Sequence, residues 1–128
     1  MSQKKTIGFI IILIISIAMF GIFKKFLGGS ANDQQLKEIV QQNAFLVDVR
    51  TPGEFASGSV NGAVNIPLDQ LPQQLHRFKG KENIVVFCRS GNRSGQAKNI
   101  LEKNNFQNVT NGGTWQNVQE VINVKSQD

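Results

Sequence analysis

Apolar and polar positions follow two regimes along the chain. Residues 7–23, IGFIIILIISIAMFGIF, run for 17 positions without a charge, with Lys4 and Lys5 before them and Lys24 and Lys25 after. From Asp33 onward, short apolar runs alternate with amphipathic stretches at the spacing of an α/β unit. Leu36, Ile39 and Val40 share one face of a helix that Asp33 can cap. Residues 44–49 read as a buried strand, the turn-rich stretches 51–53 and 57–62 follow, and residues 63–66 form a short strand stopped by Pro67. Leu68, Leu71, Leu75 and Phe78 recur at helical intervals, which predicts an amphipathic helix. Residues 84–87 are the clearest strand, and 94–103 a helix with Ala97, Ile100 and Leu101 inward. Val109 and Thr110 suggest a short strand, and a last helix runs from near Trp115 to Val121. The expected fold class is α/β, a small parallel sheet flanked by helices on both faces and preceded by one transmembrane helix.

Seventeen helical residues span roughly 25 Å, short of a hydrocarbon core of about 30 Å. Snorkelling lysine stems close the gap by letting Phe26 and Leu27 join the apolar length. A cleaved signal peptide is the rival, with small residues Gly29, Ser30 and Ala31 before a cut. An uncleaved anchor fits better, because the run exceeds a usual signal core and residues 24–27 intervene before the small ones. The expected division is 1–27 anchor or signal segment, 28–32 linker, 33–123 domain and 124–128 tail. A short basic N-terminus kept inside makes the protein single-pass and membrane-associated, with its domain outside the cytoplasm, on the periplasmic side in a bacterium.

Charge changes little once this segment is set aside. The chain has 14 Lys and Arg against 9 Asp and Glu, and four of the lysines lie in the first 27 residues. The rest is near neutral, so a pI near 9.7 does not argue for a nucleic-acid partner.

The chain has one cysteine, which excludes an intrachain disulfide and paired-cysteine metal sites. Cys88 opens the stretch Cys88-Arg89-Ser90-Gly91-Asn92-Arg93-Ser94, between the clearest strand and a helix. Ligands of open α/β sheets bind at the carboxyl ends of strands. A helix N-terminus, inward backbone N–H groups and two arginines all favour thiolate over thiol. Gly91 and Asn92 tolerate the left-handed conformations of a tight cradle, and Ser94 can cap the helix. His76, the only histidine, reads as a surface residue of the 68–78 helix.

With those residues in view, the chain resembles a rhodanese domain over roughly residues 33–123. The motifs are Leu46-Val47-Asp48-Val49-Arg50 with Glu54-Phe55, Gly58 with residues 62–67, residues 85–94, and Gly112-Gly113 with Trp115. The resemblance implies a sulfurtransferase in which Cys88 takes sulfane sulfur from a small anionic donor such as thiosulfate. It would hold the sulfur as a persulfide and pass it to cyanide or a thiol acceptor, without metal or organic cofactor. Arg89, Ser90, Gly91, Asn92 and Arg93 would bind substrate, with Arg93 serving donor capture more than Cys88 ionisation, while Ser94, Asp48, Arg50 and Glu54 would support the loop. Trp115 is expected to pack under the loop. Family members often carry histidine where this chain has Ser59, so no catalytic histidine is assigned. The rivals are a membrane-tethered sulfur carrier or binding module, and a phosphatase or arsenate reductase of the same fold. Against the latter, four residues separate Cys88 from Arg93, where the phosphatases have five.

Overall fold

The computed structural model describes residues 32–125. The 7–23 segment lies outside them; among the described residues no helix is long and apolar enough to cross a membrane. The elements are α1 (Asp33–Gln41), β1 (Phe45–Asp48), α2 (Pro52–Ser57), β2 (Val64–Asn65), two 3-10 turns (Leu71–Gln73 and Leu75–Phe78), β3 (Ile84–Cys88), α3 (Asn92–Lys103), β4 (Val109–Thr114) and α4 (Trp115–Lys125).

The four strands form one sheet in the order β2-β1-β3-β4, every neighbouring pair parallel. All four carboxyl ends therefore lie along one edge. Central β3 is buried over its whole length, and the two-residue period of a strand divides its side chains. Ile84, Val86 and Cys88 join Ala97 and Leu101 of α3 and Leu71 and Phe78 of the 3-10 turns. Val85 and Phe87 join Leu36 and Val40 of α1 and Val118 and Val121 of α4. Helices cover both faces, as the alternation of patterns predicts. Complete burial of a side chain such as Phe87 contributes roughly 1.5–3 kcal/mol.

Several local expectations are corrected. Asn32, not Asp33, caps α1, its side chain accepting from the N–H of Gln35 at 2.9 Å. The expected turn at 51–53 is the start of α2, closed by a capping box in which Thr51 and Glu54 satisfy each other's backbone N–H. The 68–78 stretch is two 3-10 turns rather than an amphipathic helix. Pro72 has no N–H to give the Leu68 carbonyl, which accepts from Leu71 three residues on at 3.3 Å, and the stretch continues in such three-residue bonds. His76 sits exposed on the second turn. Helix α3 starts at Asn92 and is preceded by Gly91, whose φ of +93° is left-handed, so Ser94 is inside the helix and caps nothing.

The expected two-residue strand at 109–110 extends to Thr114, and its pairing with β3 slips by one residue. Val86 pairs with Asn111 and Phe87 with Gly113, leaving Gly112 as the extra residue of a bulge. A Cβ on Gly112 would stand 2.8 Å from Val118 Cγ2 and 3.0 Å from Val85 Cγ1, so packing demands glycine there.

Candidate functional site

The carboxyl end of β3 delivers Cys88 into the turn that starts α3, with its residue surface wholly buried. The N–H of Gly91 donates to Sγ at 3.0 Å, and the Ser94 hydroxyl lies 3.4 Å from the same sulfur. Left-handed Gly91 is what turns its N–H inward. Burial, the largest single influence, opposes ionisation of the thiol. The Ser94 hydroxyl and the backbone N–H groups of Ser94, Ser90 and Gly91 together outweigh it, and the thiol falls below its ordinary value of 9.0. The geometry is that of a small anion cradle closed around a sulfur atom.

One residue of the neighbouring strand fixes this cradle. Asn111 Oδ1 accepts from the Ser94 hydroxyl at 2.7 Å and from the Gly113 N–H at 2.9 Å, while its Nδ2 donates to the Gly91 carbonyl at 3.1 Å. A polar cleft of about 580 Å³ borders the loop, lined by Ser90 and Gly91, by Asn111 to Thr114 of β4, and by Asp33 and Asn117.

Two ion pairs stand beside the loop. Arg93 grips Glu54 at two points, Nη1 to Oε1 at 2.7 Å and Nη2 to Oε2 at 3.0 Å. That guanidinium holds the Glu54 carboxyl down at about 2, and the carboxylate in turn raises Arg93. Deeper in, Asp48 and Arg50 pair at 2.8 Å with almost no exposure. Ser59 donates to Asp48 Oδ2 at 2.6 Å, and Arg50 Nη2 donates to the Gly58 carbonyl at 2.6 Å. The Trp115 ring covers the Arg50 guanidinium at 5.2 Å. Asn65 Nδ2 donates to the carbonyls of both Asp48 and Arg50.

The model of the rhodanese-like domain family matches residues 32–114. This chain belongs to that family. Among curated proteins it is 39% identical over 70 residues to YqhL of Bacillus subtilis, the match covering 55% of this chain and 56% of that protein. It is 36% identical over 69 residues to the thiosulfate sulfurtransferase PspE of Escherichia coli, covering 52% of this chain and 66% of PspE. The chain thus spans less than two thirds of either relative. Among solved structures it is similar to the rhodanese with anions from E. coli, with a TM-score of 0.53, 33% identity, and coverage of 58% of this chain and 89% of that one.

The rhodanese-like domain gathers the sequence-selected residues unequally. Cys88, Ser90, Gly91 and Ser94 converge on the sulfur. Asn92 only begins α3, its Oδ1 accepting from Gln96 Nε2 at 3.4 Å. Arg93 is committed to Glu54, whereas Arg89 is exposed and enters none of the ion pairs among the described residues. Asp48 and Arg50 serve each other and the 58–59 backbone and hydroxyl rather than the sulfur. Asn111 was not selected. Its signal was present: an asparagine, poorly suited to strands, sits beside a glycine pair at the carboxyl end of a strand. Among the described residues no group of three or more His, Cys, Asp and Glu side chains gathers as metal ligands would.

Proposed function

We propose that this rhodanese-like domain is a sulfurtransferase in which Cys88 carries sulfur as a persulfide. The observation that carries the reading is a buried Sγ at the end of β3 that accepts from the Gly91 N–H and lies in reach of the Ser94 hydroxyl. A thiolate held there attacks the outer sulfur of thiosulfate. The S–S bond of the donor breaks, its electron pair leaves with sulfite, and Cys88 keeps the outer sulfur as an anionic persulfide. Cyanide or a thiolate then attacks that terminal sulfur and the Cys88 thiolate leaves, so no net oxidant is required. The donors at Sγ stabilise the thiolate that starts the cycle and is released at its end. The similarity to the thiosulfate sulfurtransferase PspE supports thiosulfate as the first donor to test, and a similar rhodanese solved with anions supports an anionic one.

Intact mass spectrometry tests the chemistry. Thiosulfate is expected to add the mass of one sulfur atom to the whole chain and none to Cys88→Ser, and cyanide to remove it with release of thiocyanate over many cycles. A single stoichiometric release would make the protein a carrier, and no adduct would overturn the reading.

The uncharged run 7–23 between lysine pairs supports a second part of the proposal, a single-pass anchor holding the domain outside the cytoplasm. Alkaline carbonate extraction should leave the protein in the membrane fraction, and protease added outside spheroplasts should remove the domain. Release by carbonate, or protection from protease, would overturn it.

A further inference from the structure

The Ser94 hydroxyl has two neighbours and one proton. Cys88 Sγ lies 3.4 Å away on one side and Asn111 Oδ1 2.7 Å away on the other. The orientation of the Asn111 amide is fixed independently, since its oxygen also accepts from the Gly113 N–H and its nitrogen donates to the Gly91 carbonyl. Oδ1 can therefore only accept, and a hydroxyl that donates to it turns its lone pairs toward the sulfur. In that arrangement Ser94 accepts the thiol proton and offers nothing to a thiolate. For Ser94 to stabilise the anion, its proton must leave Asn111 and swing to Sγ.

We propose that Asn111 is a positioning residue for the Cys88 sulfur, competing with it for the Ser94 hydroxyl proton. While Cys88 is a thiol, the chain runs S–H to Oγ and O–H to Oδ1. When the thiol loses its proton to solvent, the hydroxyl turns to S⁻ and Oδ1 keeps only the Gly113 N–H. When sulfur is taken up, the charge moves to the terminal sulfur of the persulfide, Sγ becomes neutral, and the proton returns to Asn111. The hydroxyl thus follows the charge on Sγ, and Asn111 sets how much its donation lowers the energy of the thiolate. The other charged groups around the loop are the Arg93–Glu54 pair from α3 and α2, the Arg50–Asp48 pair at the end of β1, exposed Arg89, and Asp33 of α1 across the cleft. Strand β4 supplies no charge, so the influence of Asn111 is that of a neutral competitor. The inference builds on Cys88 as the nucleophile but concerns its ionisation alone.

The chain has one cysteine and no tyrosine, so the ultraviolet absorbance of the thiolate, read against Cys88→Ser, titrates Cys88 without interference. In the whole chain, Asn111→Ala is expected to lower the Cys88 pKa by about one unit, a tenfold gain in the thiolate-to-thiol ratio, because one neutral hydrogen bond no longer competes. Asn111→Leu, which keeps the branched outline of the side chain without any hydrogen-bonding group, should do likewise and serves where the alanine variant does not fold. In a Ser94→Ala background neither substitution should lower the pKa. An unchanged or raised pKa with Ser94 present, or an equal fall without it, would overturn the proposal. Sulfur uptake measured on the unsubstituted chain judges the nucleophile reading separately, since a chain that takes up no sulfur can still show this coupling.

Discussion

Arg93 and Glu54, 39 residues apart in the chain, meet as a two-point ion pair at 2.7 and 3.0 Å. The pair ties the first turn of α3, which carries the sulfur cradle, to α2. It also occupies the arginine that the sequence suggests for donor capture and leaves Arg89, among the described residues, as the guanidinium beside Cys88 that enters no ion pair.

Arg89→Ala is therefore expected to raise the apparent KM for thiosulfate roughly fivefold, the worth of about 1 kcal/mol at an exposed charge. The effect should shrink as salt is added, since mobile ions screen exposed charge. Arg93→Ala should lower the melting temperature and change KM less. Steady-state kinetics on both variants decide it, and a larger KM effect at Arg93 would reverse the assignment.

The pair also sets an acid response. The Glu54 carboxyl is held at about 2 against an ordinary 4.5, so its depressed value favours the folded state. That contribution is complete above about pH 4.5 and is lost as pH falls toward 2. Melting curves of the unsubstituted chain and Glu54→Gln should be well separated at neutral pH and draw together over that window. A separation independent of pH would show that the charge of Glu54 contributes nothing.

At the bulge of β4, Gly112→Ala places a methyl group 2.8 Å from Val118 Cγ2 and 3.0 Å from Val85 Cγ1. Overpacking of this kind costs about 1–3 kcal/mol, which urea unfolding should record as a lower midpoint with unchanged slope. Because the bulge aligns Asn111 and Gly113, sulfur transfer should fall as well. A variant as stable as the parent would mean that the α4 contact yields freely.

Replacing Arg50 with methionine leaves Asp48 buried without its cation. Removing one partner of a buried pair costs about 3–5 kcal/mol, moderated here by the Ser59 hydroxyl and the Arg50 N–H that also serve the carboxylate. Urea unfolding of Arg50→Met checks this, and a loss below about 1 kcal/mol would make the pair no better than an exposed one.

The fold was legible where one kind of pattern ruled. Ile84 to Phe87 could only be a buried strand, and the loop after it carried its glycine, its arginines and its cysteine in one stretch. Legibility failed where two signals competed. The leucine spacing from Leu68 to Phe78 outweighed the single Pro72, although one missing N–H is enough to keep a helix from closing. Thr51 and Glu54 spelled a capping box, but Pro52-Gly53 between them read as a turn. At the site, Ser94 looked like a helix cap because its local sequence allows that role. Its partners are Cys88 and Asn111, and Asn111 lies on another strand whose one-residue slip no local pattern announces. Distance along the chain likewise hid the commitment of Arg93 to Glu54.

The bulged β4 makes the sulfur cradle local in the chain. Cys88, Ser94, Asn111 and Gly113 all belong to β3, α3 and β4, a single βαβ unit that closes a short loop. Pairing β1 with β3 must bring together segments separated by α2, β2 and both 3-10 turns, and Glu54 arrives only with that longer closure. The sulfur cradle is thus complete within one local unit, and the Arg93–Glu54 clamp that secures it is the part that depends on the rest of the chain.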